Sequence, residues 1–269
     1  MSDNAAQFVG SIPEIYDRHI GPVLFEPYAQ DLAARIEAPA RAEVLELACG
    51  TGILTRQLLA RLGPGAHLVA TDLNQPMIDH AIQSLPSDPR LEYRAVDAMD
   101  LPFGDGAFDR IVCQFGVMFF PDKRIAAREA RRVLKRGGVY WFNVWAAIEH
   151  NRLIGIGNDT VMRLFPDDPP TFYRTPFGYY DPAIIRADLE SAGFRDVTIE
   201  TVDKIGVSES ARHLAEGMVH GNPIKMAIEA RGRMTPDQVV EEVAQALTAA
   251  CGAAPCRAPM RALVVSARA

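Results

Sequence analysis

No run of apolar residues in this chain is long enough to cross a bilayer. The opening residues, 1–7, lack the cationic stretch and apolar core of a secretory leader. Neither a membrane-spanning role nor export is expected, and the cytoplasm is the expected compartment. Cysteine is scarce: Cys49, Cys113, Cys251 and Cys256 are too few and too scattered for a disulfide framework. Cys251 and Cys256 are close in sequence, but no paired histidine or cysteine set accompanies them, so no metal is expected. Positive charge is also in deficit. A formal net charge of −6 argues against nucleic acid as a partner. The one basic run (Arg128, Arg131, Arg132, Lys135, Arg136) reads as a solvated helix face whose cations complement the helix dipole.

What is present is ordinary globular sequence, 48% hydrophobic and 23% charged, and the 269 residues suit one α/β domain with insertions. The chain is organised around residues 43–55, Glu-Val-Leu-Glu-Leu-Ala-Cys-Gly-Thr-Gly-Ile-Leu-Thr. The first part, apolar except for Glu46, predicts a strand buried on both faces of a parallel sheet. Gly50 and Gly52 allow a tight turn with close approach of backbone to a ligand. Ile53, Leu54, Leu58 and Leu59 then restart the pattern at helical spacing, predicting a helix over 53–62. Free N–H groups at such a turn can hold an anionic or polar ligand. A nicotinamide fingerprint would need a glycine where Thr55 stands.

Residues 67–72 predict a second strand ending in Asp72, which lies roughly twenty residues after Gly52, where a carboxylate reaches ribose hydroxyls. That spacing serves more than one adenosine cofactor. Asn74 is expected to cap the next helix, leaving Asp72 free for the ligand. A third strand over 91–95 leads to Asp97, Ala98 and Met99, and a fourth over 108–113 leads to Gln114 and Phe115. A carboxylate such as Asp97 only accepts hydrogen bonds, which selects an exocyclic amine. Asp122 is expected to cap a helix to about Leu134, ended by Arg136-Gly137-Gly138 before a fifth strand over 139–145.

Glu46-Leu-Ala-Cys-Gly-Thr-Gly52 resembles motif I of the class I S-adenosylmethionine (SAM) methyltransferases, with Ala48 where that family usually has glycine. Leu101-Pro-Phe103, followed by Phe108-Asp109, is similar to the pattern of the ubiquinone/menaquinone-biosynthesis-like members. Leu134-Lys-Arg-Gly-Gly138 also matches, with Arg136 in place of the family's proline. The resemblance covers about residues 42–145 well and the rest in outline. It implies a Rossmann-like, doubly wound seven-stranded α/β sheet, mostly parallel with an antiparallel last strand, plus a helical lid and insertions. Residues 1–36 would form the lid, 37–145 the SAM-binding core, and 146–269 the remaining sheet and substrate-side helices within one overall domain. Within the lid, helical pieces are expected between breaks at Pro13, Gly21-Pro22 and Pro27.

Carried over to this sequence, the resemblance implies a SAM site built from Tyr16, Glu46, Ala48, Cys49, Gly50, Gly52, Asp72, Leu73, Met77, Asp97, Ala98, Met99, Gln114 and Phe115. Asp97 would accept from the adenine amine, the Ala98 N–H would meet a ring nitrogen, and Leu73 and Met77 would border the ring. The implied activity is methyl transfer to a small molecule with an apolar or aromatic part, by a monomer or homodimer. The methyl donor is already activated, so the protein mainly aligns the reactants and sheds water. No base is obligatory, and His150, His220 and His19 are only weak catalytic candidates. The aromatic residues over 172–180 either line an acceptor pocket or pack an insertion. Two other functions stay open: an NAD(P)-dependent oxidoreductase and a non-catalytic SAM-binding protein.

Overall fold

The computed structural model describes residue 10 and residues 12–269, so the reading of residues 1–7 and the Ser11 end of the expected lid lie outside the described residues. Seven strands form one sheet: β1 (Glu43–Leu47), β2 (His67–Asp72), β3 (Leu91–Ala95), β4 (Phe108–Gln114), β5 (Leu134–Trp145), β6 (Arg195–Ser208) and β7 (Cys256–Arg268). Their order is β3-β2-β1-β4-β5-β7-β6. The first five are parallel. β7 runs against β5: Gly137 donates to the Ala269 carbonyl near one end, while Ala146 donates to Arg261 near the other. β6 in turn runs against β7, with Thr198 beside Ser266 and Asp203 beside Arg261. The expected architecture is therefore present, antiparallel last strand included.

The helices are α1 (Ile12–Ile15), continued as a π-helix over Tyr16–Phe25, then α2 (Glu26–Arg35), α3 (Ile53–Leu59), α4 (Gln75–Ser84), α5 (Lys123–Val133), α6 (Arg152–Leu164), α7 (Pro182–Ser191), α8 (Ala211–His220), α9 (Ile224–Arg231) and α10 (Pro236–Cys251). Two compact units are present, each discontinuous in sequence. One comprises Tyr28–Val144, Tyr179–Val202 and Ala262–Ala269; it holds β1 to β4 and most of β5. Val44, Leu45, Leu68, Ala70, Ile111 and Val112 have no exposed surface, as strands covered on both faces require. The chain leaves β1 to build β2 and β3 on one side, then returns to build β4 and β5 on the other. Connections leaving the carboxyl ends of β1 and β4 thus diverge and open a crevice.

Of the described residues, the second unit comprises Gly10, 12–27, Trp145–Gly178 and Asp203–Arg261. Its α10 opens on a capping box in which Thr235 and Gln238 satisfy each other's backbone N–H. Tyr173 buries its ring and donates its hydroxyl to the Met218 carbonyl at 2.7 Å.

Three local expectations change. The N-terminal segment is helical without a break from Ile12 to Arg35, because the wider π-helical turn takes in Pro22, which would break an α-helix. α5 stops at Val133, and β5 begins at once, since Leu134 pairs with Phe108. Arg136-Gly137-Gly138 then forms an irregularity inside the strand pair, not a turn before it. The apolar spacing over 210–230 predicts a single helix, where the structure has two, α8 and α9. Pro223 disfavours helical backbone at Asn222, whose side chain instead donates to the Gly217 and Met218 carbonyls.

Candidate cofactor and active site

At the carboxyl end of β1 the backbone turns sharply through residues 48–52. Ala48 has φ +53°, a left-handed conformation that costs a non-glycine residue about 1–2 kcal/mol and explains why glycine suits the position. Gly50, at φ +57°, would have nothing within 4 Å of a Cβ, so the turn faces open space that a ligand can approach. Gly52 precedes the first turn of α3. Asp72, at the end of β2 and only 7% exposed, ties this turn to its own strand. Its Oδ2 accepts the Gly50 N–H at 2.9 Å and its Oδ1 accepts the Asn74 N–H at 2.8 Å. Asn74 itself makes no side-chain cap, so the capping expected of it falls to backbone and to Asp72. Burial raises the Asp72 pKa, and the Asn74 and Gly50 N–H groups oppose the rise.

Glu46 is 1% exposed. The Thr55 hydroxyl donates to its Oε2 at 2.7 Å, and the Thr71 hydroxyl donates to its carbonyl at 2.8 Å. Burial pushes the Glu46 carboxyl up to about 8, against the Thr55 hydrogen bond and with a further push from Asp72. Cys49 and Cys113 are buried thiols held well above the ordinary thiol pKa, first by burial and then by the nearby acids, so neither is a thiolate nucleophile. Tyr93 of β3 is also pushed up by burial, and its buried hydroxyl has no hydrogen-bond partner.

Beyond β2, Leu73 is 59% exposed whereas Met77 is buried. An exposed leucine beside a buried aspartate is not a core residue, which leaves its apolar surface for a ligand. Asp97 is exposed, with Oδ1 accepting the Met99 N–H at 2.8 Å; Ala98 is buried and Met99 half-buried. Past β4, half-buried Gln114 is followed by Phe115 at φ +48°. The Phe115 N–H donates to Asn143 Oδ1 at 2.9 Å, and its ring meets Tyr28 edge-on with centroids 5.4 Å apart. All these residues belong to the first unit. Tyr16 lies in the second unit, stacked on Phe25 at 5.0 Å.

The Leu101-Pro-Phe103 loop is clamped from α5. Arg132 donates to the Phe103 carbonyl at 2.7 Å and the Leu101 carbonyl at 2.8 Å, while pairing with Glu129 and Asp105. Glu129 completes the clamp by accepting the Leu101 N–H at 2.9 Å. Arg132 is therefore not part of a purely solvated basic face, as the sequence suggested. Sequence reasoning also missed Thr55 as the partner of Glu46, and Asn143. The signal for Asn143 was present: a lone amide inside the apolar run of β5.

The weak catalytic candidates all lie in the second unit. His220 Nε2 is 2.9 Å from Asp237 Oδ1, and His19 stacks on His213 with centroids 4.1 Å apart. His150 is exposed and lines a cavity of about 390 Å³ with Arg152, Asp159, Asp203 and Arg261. Among the described residues no group of side chains could hold a metal ion, and no helix is long and apolar enough to cross a membrane.

The donors and acceptors of the first unit fit SAM. Open space faces Gly50, acceptor-only carboxylates stand at Asp72 and Asp97, and Asn143 Nδ2 is buried with no hydrogen-bond partner. The fold and this site define a class I SAM-dependent methyltransferase. The family pattern described as methyltransferase domain matches residues 45–142. Demethylmenaquinone methyltransferase of Lactobacillus johnsonii is 30% identical over 183 residues, 63% of this chain and 73% of that one. The protein of the same name from Clavibacter sepedonicus is 40% identical over 105 residues, 39% of this chain and 42% of its own. The structure of Haemonchus contortus phosphoethanolamine N-methyltransferase 2 in complex with SAM shares the fold, with TM-score 0.60 and 13% identity over 100% of this chain and 60% of that one. The chain belongs to the SAM-dependent methyltransferases of the menaquinone/ubiquinone type, and it transfers a methyl group to a small molecule.

Proposed function

We propose that the methyl acceptor is a small molecule with an apolar, aromatic part, of the quinone-related kind named for the relatives. The observation that carries this reading is a run of rings in the second unit: Tyr16 stacks on Phe25 at 5.0 Å, Phe25 meets Trp145 at 6.0 Å, and Trp145 stacks on Phe177 at 5.9 Å. Beside Phe177 is a cavity of about 410 Å³, lined also by Ile148, Glu149, Asn158 and Arg174. Phe177 carries the end of that run into the cavity lining, which suits a flat ring, with polar groups left to fix its orientation. Methyl transfer from labelled SAM to a quinol-type ring, compared with a simple amine, tests it. Labelling of the amine alone would contradict the reading.

In this proposal SAM supplies a methyl group on a sulfonium, which needs no further activation. Asp72 accepts from the ribose hydroxyls, Asp97 and Ala98 meet the adenine edge, and Leu73 and Met77 flank its faces. The turn at Cys49, Gly50 and Gly52, with Glu46 and Ala48 behind it, holds the amino-acid end. Met99, Gln114 and Phe115 complete the walls. The N-terminal segment acts as the lid, with Tyr16 covering the cofactor. A chain beginning at Pro27 should then lose turnover more than stability; unchanged turnover would remove the lid. His150, His220 and His19 are left as candidates to take the acceptor's proton, with His150 first because it lines a cavity. The same proposal has the protein acting in the cytoplasm as a monomer or homodimer, without nucleic acid.

A further inference from the structure

Among the described residues, the carboxyl group of Glu46 is sealed into the first unit with acids and neutral groups around it and no cation. Thr55 of α3 donates to it, and Asp72 of β2 acts on it as a second negative charge. Cys49 from the turn, Tyr93 from β3 and Cys113 from β4 complete its electrostatic surroundings. None of these side chains carries a positive charge. Neither Glu46 nor Asp72 forms a salt bridge with any lysine, arginine or histidine among the described residues. Two buried carboxylates without a cation cannot both stay ionised cheaply, so one must hold a proton or await a positive partner.

Of the two, Asp72 is the better supported as an anion. It accepts two backbone N–H groups and the Asn74 side chain, whereas Glu46 accepts one hydroxyl on its side chain. We propose that Glu46 reads the charge of the cofactor: it is a neutral carboxylic acid in the free protein and ionises when SAM, with its sulfonium and ammonium centres, enters the site. The proton leaves to solvent, no covalent bond to carbon changes, and the ionised carboxylate adds a second buried anion beside Asp72 to meet the incoming cation. Burial, which raises the Glu46 carboxyl to about 8, points the same way. This inference rests on the assignment of the site to SAM. Its consequence is that SAM binding at neutral pH releases a proton, and that affinity rises with pH until Glu46 is already ionised.

Calorimetric titration of the full chain with SAM, in buffers of different ionisation enthalpy, counts the protons. Wild-type protein should release close to one proton per SAM near neutral pH. Its Kd should tighten by up to about tenfold per pH unit on the acid side of the transition. Glu46→Gln can still accept from Thr55, and it should show a flat Kd and no such release. Infrared difference spectra of the wild type, which need no variant, should lose a protonated-carboxyl band when SAM is added. SAM binding without proton release, or with the same release in Glu46→Gln, would overturn the proposal. Failure of the wild type to bind SAM at all would instead overturn the site assignment on which it stands.

Discussion

A Cβ at Gly116 would lie 2.5 Å from the Cβ of Ala48, so the methyl group on the cofactor turn and the bare glycine after β4 occupy complementary space. The Cys113 sulfur, 2.7 Å from the same point, closes the other side. The departure from glycine at Ala48 thus has a structural counterpart. It sits where the chain must pass close to the turn.

Gly116→Ala should accordingly cost on the order of 1–3 kcal/mol, the usual range for overpacking a filled site. Restoring glycine at position 48 in the same chain should recover part of that loss, because one of the two clashes is relieved while Cys113 remains. Urea denaturation of the two single variants and the double variant checks this. Strict additivity would contradict the contact.

Much of this arrangement was legible in the sequence. The apolar strand around Glu46, the glycine turn and the acid at Asp72 have fixed local periods, and sheet rules then supply their order. Thr55 was legible only as a residue that is not glycine, because its partner lies behind it in the fold. Pro22 read as a break because a π-helix leaves no period to recognise. The basic run hid Arg132, since an arginine facing a loop carbonyl has the same spacing as one facing water. Asn222-Pro223 did signal the break between α8 and α9, but apolar spacing continued across it.

Arg132→Ala should loosen the loop over 101–105 and cost about 1.5–3 kcal/mol, the range for hydrogen bonds to a charged group. Arg132→Lys should recover little, because an ammonium cannot span the Phe103 and Leu101 carbonyls and Glu129 as a planar fork does. Denaturation midpoints and proteolysis of the loop report the outcome. Wild-type stability in the lysine variant would show that charge alone suffices.

The Glu46 carboxyl also makes stability depend on pH. Its ordinary pKa of 4.5 is raised to about 8 in the folded protein, so between these values the folded chain holds a proton that the unfolded chain does not. Stability from this group is greatest on the acid side and falls as pH rises through that window, by up to about 1.4 kcal/mol per unit. The raised pKa of Asp72 adds in the same direction. Glu46→Gln should flatten the slope between about pH 5 and pH 8 without abolishing it. Equal slopes in variant and wild type, followed by urea melts, would contradict the burial of an acid at this position.

The most direct test of the whole account is the affinity for SAM of the wild type and of Asp72→Ala, measured side by side by titration calorimetry. The wild type should bind one SAM per chain, and the variant should lose on the order of 1.5–3 kcal/mol of binding free energy with the loss of a charged hydrogen-bond acceptor. Equal affinity in the two proteins would contradict the placement of the cofactor against the turn at Gly50.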